Sequence, residues 1–266
     1  MHWLALVTIG IAVVLALVFH NLSTKPTTTD SHLGSGEFFD AVADYYDITN
    51  AYMSLGLDMS WRRELVRAIS LSQPEYVLDI ATGTGDVACL VAVEMKKFGR
   101  KFEKIIGLDP SNKMLSYAAL KAEEKSLNSS ITFIHGDVQD MNLFQDDRFT
   151  KITMSFGIRN VPNRTKGLEE IKRVLKPGGV VAIMEFVTPR HGMFAPLARY
   201  FIKFIVPLIG SLSSQGLVKE YNHLRDSILN FPSPEEFVSM MLDVGFVDCT
   251  ASNIAFDAIY IFKCKV

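Results

Sequence analysis

The feature that most constrains the fold is an alternation of short apolar runs with helix-forming stretches from residue 38 onward. One apolar run, "YVLDI" at residues 76–80, opens directly into the glycine-containing segment "ATGTGD". A short run bounded by turn residues is typical of a buried strand, and the stretches between such runs have helical spacing. Strands alternating with helices predict a mostly parallel sheet covered on both faces, which binds ligands beyond the carboxyl ends of its strands.

The remaining elements are predicted from the same periodicities. Further strands are expected at residues 104–108, 131–134, 151–156 and 180–186, and near 246–250 and 258–263. The clearest helix is "TKGLEEIKRVLKPGG", in which Leu168, Ile171, Val174 and Leu175 share a stripe and Pro177 begins the stop. A length of 266 residues suits one large α/β domain better than two.

The first residues differ from the rest of the chain. "WLALVTIGIAVVLALVF", residues 3–19, contains no charge and is seventeen residues long, near the lower limit for a bilayer-spanning helix. It lacks the basic start and small-residue cleavage site of a signal peptide, so we expect an anchor, with a cleaved targeting segment or a core helix as alternatives. The predicted organisation is a hydrophobic segment at 1–22, a polar linker at 23–37 and one domain at 38–266.

Charge and cysteine content exclude several function classes. The formal net charge is −2, and no dense Lys/Arg run is interleaved with aromatic residues, so nucleic acid is not an expected partner. Cys89, Cys249 and Cys264 lack the paired spacing of a zinc or dithiol site and the density of a disulfide scaffold. We therefore expect ordinary thiols in a reducing compartment and no metal site.

The glycine-containing turn favours a particular kind of ligand. Gly83 and Gly85 allow the backbone to turn tightly after the first strand. Asp109 ends the next strand, where a carboxylate can accept hydrogen bonds from both hydroxyls of a ribose. A turn with two glycines is weak evidence by itself, and a dinucleotide fold is the alternative. Asp86, however, stands where a pyrophosphate needs helix N–H groups without negative charge, which favours a cationic cofactor.

A carboxylate also follows the third strand. Asp137 is expected near the amino group of an adenine, so that Asp86, Asp109 and Asp137 follow successive strands. S-adenosylmethionine carries an adenosine, an ammonium and a sulfonium but no phosphate. The three carboxylates therefore fit this cofactor.

With these motifs the chain resembles a class I methyltransferase, and specifically the ubiquinone/menaquinone biosynthesis C-methyltransferase (UbiE-type) family. The glycine turn and "RVLKPGG" occur widely among methyltransferases, whereas "YDITN", "SFGIRNV" and "YNHLRDSILNFP" are narrow motifs of that family. The resemblance covers about residues 39–232. It implies an α/β, Rossmann-like fold with a mostly parallel seven-stranded sheet and helices on both faces, here with an added N-terminal anchor helix.

The resemblance also implies cofactor contacts. The residues expected to bind S-adenosylmethionine are Asp79, Gly83, Thr84, Gly85, Asp109, Asp137, Val138 and Ser155.

"SFGIRNVP", residues 155–162, raises the question of why Arg159 and Asn160 stand side by side after the fourth strand. Methylating a ring carbon of a quinol is easier when a ring hydroxyl becomes a phenolate, and each preorganised donor to such an oxyanion is worth roughly 3–4 kcal/mol. Arginine is a poor proton acceptor because its pKa exceeds about 12. We therefore expect Arg159 and Asn160 to stabilise the phenolate, with water or a histidine taking the proton.

Tyr46 of "YYDITN" is the third expected catalytic residue, because the family motif places this tyrosine over the pocket. Each of the three has a structural alternative: packing of the first helix for Tyr46, an ion pair for Arg159 and a turn position for Asn160. His135 and His223 are the histidines nearest the motifs, and a hydrogen-bonded structural role is expected for both.

The resemblance implies a prenylated benzoquinol or naphthoquinol as substrate, a membrane as the place of work, and a homodimer or other quinone-biosynthesis enzymes as partners. The expected location is the mitochondrial inner membrane in a eukaryote, with a plastid or bacterial cytoplasmic membrane as alternatives. "PLARYFIKFIVPLIG", residues 196–210, has helical spacing and is interpreted either as core packing or as a groove for the prenyl tail. Alternative functions are methylation of another lipid, such as a sterol, and a non-catalytic cofactor-binding scaffold.

Overall fold

The computed structural model describes residues 36–54, 56–71, 75–97, 102–190, 195–200, 203–204 and 218–266. The predicted anchor at 1–22 and nearly all of the predicted linker lie outside these residues. Within the described ranges, no helix is long and apolar enough to span a bilayer.

The elements alternate as the sequence predicts. The strands are β1 (Glu75–Ile80), β2 (Phe102–Asp109), β3 (Ile131–His135), β4 (Phe149–Ser155), β5 (Leu175–Phe186), β6 (Val247–Ala255) and β7 (Ile259–Lys265). The α-helices are α1 (Gly36–Val42), α2 (Tyr46–Met53), α3 (Asp58–Ala68), α4 (Asp86–Lys97), α5 (Asn112–Glu124), α6 (Arg164–Val174), α7 (Ala195–Tyr200), α8 (Val218–Leu229) and α9 (Pro234–Val244). Short 3₁₀ turns cover Ala43–Tyr45 and Ile158–Asn160.

The strands form one seven-stranded sheet in the order β3-β2-β1-β4-β5-β7-β6. The first five strands in that order run parallel, whereas β7 is antiparallel to both β5 and β6. This confirms the mostly parallel sheet. The chain reverses its direction of winding between β1 and β4, and such a switch point leaves a crevice beyond the carboxyl ends of those strands.

Helices cover both faces of the sheet. Successive side chains along a strand point to opposite faces, so each strand contributes to the apolar clusters on both sides. Val77 of β1 packs into a cluster with Leu65 and Met95 of α3 and α4, while its neighbour Leu78 joins a cluster on the other face with Phe237 of α9. Burying each such side chain stabilises the fold by roughly 1.5–3 kcal/mol. The sheet therefore gives a rigid frame to the loops at its edge.

One predicted boundary is displaced. Helix α6 ends at Val174, before the expected stop at Pro177, and β5 begins at once with Leu175. Leu175 pairs with Phe149 at the start of β4, so its backbone belongs to the sheet although its side chain continues the helical stripe.

The prediction that all three cysteines are ordinary thiols is wrong for two of them. Cys249 and Cys264 form a disulfide with a Cα–Cα separation of 4.2 Å, and Cys89 is a buried free thiol. The pairing arises because β6 and β7 are antiparallel neighbours, which brings two residues fifteen positions apart together.

Candidate active site

A cavity of about 280 Å³ opens at the switch point of the sheet. Its floor comes from the carboxyl ends of β1, β2 and β4 and the loops that follow them, and its cover comes from Gly36, Phe39 and Tyr46 of α1 and α2. This is where parallel α/β sheets bind their ligands. Among the predicted site residues, those lining the cavity are Tyr46, Gly83, Asp109, Asp137, Val138, Ser155 and Asn160.

The two glycines of the turn serve different purposes. Gly83 lines the cavity with a left-handed backbone at φ +54°. Gly85, at φ +82°, lies away from it, and a Cβ there would stand 3.0 Å from the Cβ of Ala118 and 3.1 Å from Phe133. Gly83 thus gives a ligand access to the backbone, whereas Gly85 lets α5 and β3 pack closely against the turn.

Asp109 is held rigidly at the end of β2. Its carboxylate accepts hydrogen bonds from the backbone N–H groups of Gly83, at 2.8 Å, and Ser111, at 2.9 Å. Burial raises the pKa of this carboxyl to about 6. A buried carboxylate beside a cavity suits the predicted hydrogen bonds with the hydroxyls of a ribose.

The rest of the cavity wall fits a cationic ligand without phosphate. Asp109 and Asp137 are the charged side chains among the described lining residues, so no cation is available there for a pyrophosphate. The hydroxyl of Ser155 is buried and has no hydrogen-bond partner among the described residues, although such groups are normally paired. The two carboxylates and the hydroxyl of Ser155, which is available for a ligand, therefore suit S-adenosylmethionine.

Three other predicted cofactor residues lie behind the cavity and do not line it. Asp79 is buried, accepts hydrogen bonds from the hydroxyls of Thr82, at 2.6 Å, and Thr153, at 2.7 Å, and has its pKa raised to about 6 by burial. Thr84 donates to Asp47 of α2 at 2.6 Å. With Gly85, these residues shape the turn from behind, and their direct contact with the cofactor stays a prediction.

A row of polar contacts fastens the N-terminal helices to α5. Three acidic residues of the N-terminal helical segment contact α5 or its N-cap. Asp40 contacts Ser111 and the backbone N–H of Lys113. Asp44 contacts the side chains of Lys113 and Tyr117, and Asp47 contacts Lys121. Lys121 Nζ also lies 2.6 Å from Asp86 and 2.9 Å from Thr84. These acids are spaced four and three residues apart along three consecutive helical elements, and this helical spacing is a signal that could have predicted the contact.

Tyr46, predicted to be catalytic, covers the cavity from above. Its ring packs edge-to-face on Phe39 with ring centroids 6.3 Å apart. Burial raises the pKa of its hydroxyl, so the group stays protonated and can act as a hydrogen-bond donor.

Arg159 does not line the cavity. Its Nη1 lies 2.6 Å from Oε1 of Glu185, which is fully buried, and also donates to the carbonyl of Phe156 at 2.9 Å. The structure therefore shows the ion pair that the sequence left as the alternative for this arginine. The sequence reasoning missed Glu185, although a carboxylate within the apolar run "VVAIMEF" is a recognisable signal.

Asn160 lines the cavity and has a partner from another helix. Its Oδ1 lies 3.2 Å from Nε2 of His223 in α8. His135 instead contacts the carbonyl of Pro110 at 3.0 Å. Arg159 and Asn160, adjacent in sequence, therefore have different surroundings: the arginine enters an ion pair, and the asparagine faces the site.

Comparison with known proteins identifies relatives over most of the chain. The sequence pattern of the ubiE/COQ5 methyltransferase family matches residues 27–264. A ubiquinone/menaquinone biosynthesis C-methyltransferase UbiE from Geotalea daltonii is 40% identical over 210 residues, covering 79% of this chain and 86% of that protein. A demethylmenaquinone methyltransferase from Deinococcus radiodurans is also 40% identical over 210 residues, covering 79% and 83%. The crystal structure of a SAM-dependent methyltransferase from Aquifex aeolicus has a TM-score of 0.57 at 17% identity, covers 85% of this chain and 97% of that one, and shows a common fold.

Proposed function

The chain belongs to the ubiE/COQ5 methyltransferase family, and from this premise we propose that it methylates a ring carbon of a prenylated benzoquinol or naphthoquinol. It is a methyltransferase, and its cofactor is S-adenosylmethionine. The observation that supports the proposal is the cavity at the switch point, which is lined by the carboxylates of Asp109 and Asp137 and by the side chains of Tyr46 and Asn160. Both rings, in the ubiquinone pathway or in the menaquinone and phylloquinone pathways, are compatible with these residues.

The acidic side of the cavity indicates how the methyl donor, S-adenosylmethionine, would be held. The carboxylate of Asp109 would accept hydrogen bonds from the ribose hydroxyls, and the carboxylate of Asp137 would accept a hydrogen bond from the adenine amino group. The backbone at Gly83 and the unpaired hydroxyl of Ser155 supply further polar contacts. When bound, S-adenosylmethionine supplies an electrophilic methyl group.

The substrate side must stabilise negative charge, because the ring oxygen opposite or beside the reacting carbon gains charge as that carbon becomes nucleophilic. Asn160 and Tyr46 both line the cavity and offer neutral N–H and O–H donors. A preorganised donor of this kind contributes roughly 3–4 kcal/mol. We assign Arg159 to supporting this turn through Glu185, since its charge is already balanced by that carboxylate.

Membrane association is part of the proposal because a prenylated quinol resides in a bilayer. The apolar residues 3–19 support it, as does the exposed aromatic pair Tyr200 and Phe204, whose ring centroids lie 5.0 Å apart. We propose the mitochondrial inner membrane in a eukaryotic host, or the plastid or bacterial cytoplasmic membrane. Flotation of the full-length protein with vesicles of phosphatidylcholine and phosphatidylglycerol tests the association, which fails if the protein stays at the bottom of the gradient.

Assembly as a homodimer, or with other enzymes of quinone biosynthesis, is proposed from the family resemblance. Size-exclusion chromatography with light scattering, followed by cross-linking in cells, tests both forms of assembly. A single monomeric mass with no cross-linked partner would contradict them.

The function itself is tested by profiling quinones in cells that lack this chain and in cells complemented with wild type or Asn160→Ala. We expect a quinol precursor one methyl group lighter to accumulate and wild type alone to remove it. Its ring identifies the substrate as a benzoquinol or a naphthoquinol. The proposal fails if no such precursor accumulates, and full complementation by a variant that cannot methylate in vitro would favour a scaffold.

A further inference from the structure

The contact between Asn160 and His223 joins the cavity to helix α8. Asn160 belongs to the 3₁₀ turn after β4, and His223 lies sixty-three residues later in the chain, with its Nε2 at 3.2 Å from the amide oxygen. An amide oxygen can only accept a hydrogen bond, so Nε2 of His223 must carry the proton. In this arrangement the ring is the Nε2–H tautomer and the amide has its oxygen toward His223.

The orientation of the Asn160 amide matters for chemistry. With Oδ1 directed at His223, the NH₂ group of the same side chain is the part left for the cavity, and it makes no hydrogen bond within the described ranges. The reversed amide would offer an oxygen, which repels a developing phenolate. An amide by itself can adopt either orientation at little cost, because both ends are similar in shape.

The surroundings of His223 keep it in place as a neutral donor. Phe38 of α1 packs on the ring with centroids 5.4 Å apart, and the nearby charges are Arg159 with its partner Glu185 and, on α8 itself, Asp226. Burial, with a smaller contribution from the charge of Arg159, lowers the pKa of the imidazole. The ring is therefore neutral near pH 7 and has a single N–H group, the one that Asn160 occupies.

The turn that carries Asn160 is fixed from the other side as well. The backbone N–H of Arg159 donates to Glu185 at 3.2 Å, and Arg164 donates to the carbonyl of Arg159 at 3.2 Å. With the backbone held in this way, rotation of the Asn160 amide is the freedom that remains, and His223 is the group that restricts it.

We propose that His223 is a positioning residue that locks the Asn160 amide with its NH₂ group toward the ring oxygen of the quinol. The inference rests on the proposed function and extends it to a residue outside the cavity wall. In this reaction the ring O–H bond breaks, its electron pair stays on oxygen, and its proton leaves to water. The ring carbon then forms a bond to the methyl carbon while the C–S bond breaks and its electron pair stays on sulfur. The proton on that ring carbon leaves to water, the electron pair of the broken C–H bond restores the aromatic ring, and a proton from water returns to the ring oxygen.

The test compares His223→Leu with His223→Gln in the full-length enzyme, with S-adenosylmethionine and a short-chain demethylquinol as substrates. Leucine removes the donor, and we expect kcat to fall about 100-fold with KM changed less than twofold, because a donor to the oxyanion acts in the transition state. Glutamine keeps an N–H group near the position of Nε2 and should restore kcat to within fivefold of wild type. Combining His223→Leu with Asn160→Ala should cost no more than Asn160→Ala alone.

A second readout does not depend on turnover. Long-range ¹H–¹⁵N NMR of histidine-labelled protein should show the Nε2–H tautomer of His223, and this signal should change in Asn160→Ala. Unchanged kcat in His223→Leu, or the opposite tautomer, would overturn the inference. The inference would also be overturned if both variants lost activity and the acidic limb of the pH profile of kcat disappeared, since the imidazole would then act as a proton acceptor.

The two proposals fail in different ways. If wild-type enzyme methylates no quinol, the proposed function has failed. If wild type is active and His223→Leu is equally active, the inference alone is wrong. Binding of S-adenosylhomocysteine, which we expect to be unchanged in both His223 variants, confirms that each variant is folded.

Discussion

Nη1 of Arg159 lies 2.6 Å from Oε1 of Glu185, and this ion pair anchors the 3₁₀ turn that contains Asn160 to the end of β5. The side chain of Arg159 is 10% exposed and that of Glu185 is fully buried. Glu185 also accepts from the backbone N–H of Arg159 at 3.2 Å and of Phe186 at 2.8 Å. The end of β5 therefore holds the loop after β4 through one carboxylate.

Replacement of Arg159 by alanine should destabilise the protein strongly. The change leaves the carboxylate of Glu185 buried without its cation, and breaking a buried pair in this way costs about 3–5 kcal/mol. Urea unfolding measures the loss of unfolding free energy. Arg67→Ala is the matched control, since Arg67 pairs with Glu64 on the surface, and its effect should stay below about 1 kcal/mol. Equal effects of the two changes would show that the pair with Glu185 is unimportant for stability.

Replacement of Lys121 by methionine should weaken cofactor binding from a distance. Lys121 connects Asp47 of the cover to Asp86 and Thr84 of the glycine turn, and the cover contributes Tyr46 to the cavity. Loss of these contacts should raise the Kd of S-adenosylhomocysteine roughly tenfold, which corresponds to about 1.4 kcal/mol. Isothermal titration calorimetry measures it.

The exposed Lys125, one residue beyond the end of the same helix, supplies the control for that prediction. Lys125→Met should leave the Kd unchanged, and hydrogen exchange in residues 36–53 should accelerate in Lys121→Met alone. Equal Kd values for the two variants would disconnect the cover from cofactor binding.

Much of the fold, and the placement of several predicted site residues around one cavity, could be predicted from the sequence, because local patterns encode them. Strand periodicity located β1 to β5. Asp109 and Ser155 end their strands and Asp137 follows its strand by two residues, and the carboxyl ends of these strands meet at one edge of the sheet. The direction of a side chain is less accessible. Asp79 stands one residue before the end of β1, and strand alternation turns it toward Thr153 of the neighbouring strand, away from the cavity.

The partners of charged and polar groups were the harder part. Glu185 is twenty-six residues from Arg159, and His223 is sixty-three from Asn160, so no local spacing relates them. The same holds for the disulfide, since antiparallel pairing of two strands decides which cysteines meet. These contacts depend on tertiary packing, which periodicity does not specify.

The disulfide predicts a measurable dependence on reductant. The bond between Cys249 and Cys264 closes a loop of fifteen residues, for which the restriction of the unfolded chain is worth about 3 kcal/mol. Urea unfolding with and without dithiothreitol should differ by about that amount in wild type and not at all in Cys249→Ser. Cys89→Ser, the control at the free thiol, should keep the difference.

Alkylation under denaturing conditions provides an independent count for the same prediction. Without reductant, one of the three thiols should react, and with reductant all three. Three reactive thiols in unreduced protein purified without reductant would contradict the pairing.

The raised pKa of Asp109 predicts that cofactor binding weakens in mild acid. Burial sets this pKa at about 6, and a protonated carboxyl can no longer act as a charged acceptor for the ribose hydroxyls. The Kd of S-adenosylhomocysteine should therefore rise as pH falls below about 6, approaching tenfold for each pH unit. Calorimetry from pH 7.5 to 5 measures the slope, which Asp109→Asn should abolish while weakening binding at every pH.

Stability of the cofactor-free protein should respond to Asp109 with the opposite sign. Because the folded-state pKa is raised from the usual 3.8 to about 6, the stabilising contribution is complete below pH 3.8 and is lost as pH rises through about 6. The difference in unfolding free energy between wild type and Asp109→Asn should therefore shift against wild type across that range. Asp79→Asn controls for the second buried carboxyl, whose pKa is also about 6, and should leave the slope of binding intact because Asp79 lies behind the cavity. A binding slope that disappears in Asp79→Asn and persists in Asp109→Asn would transfer the cofactor role from Asp109 to Asp79.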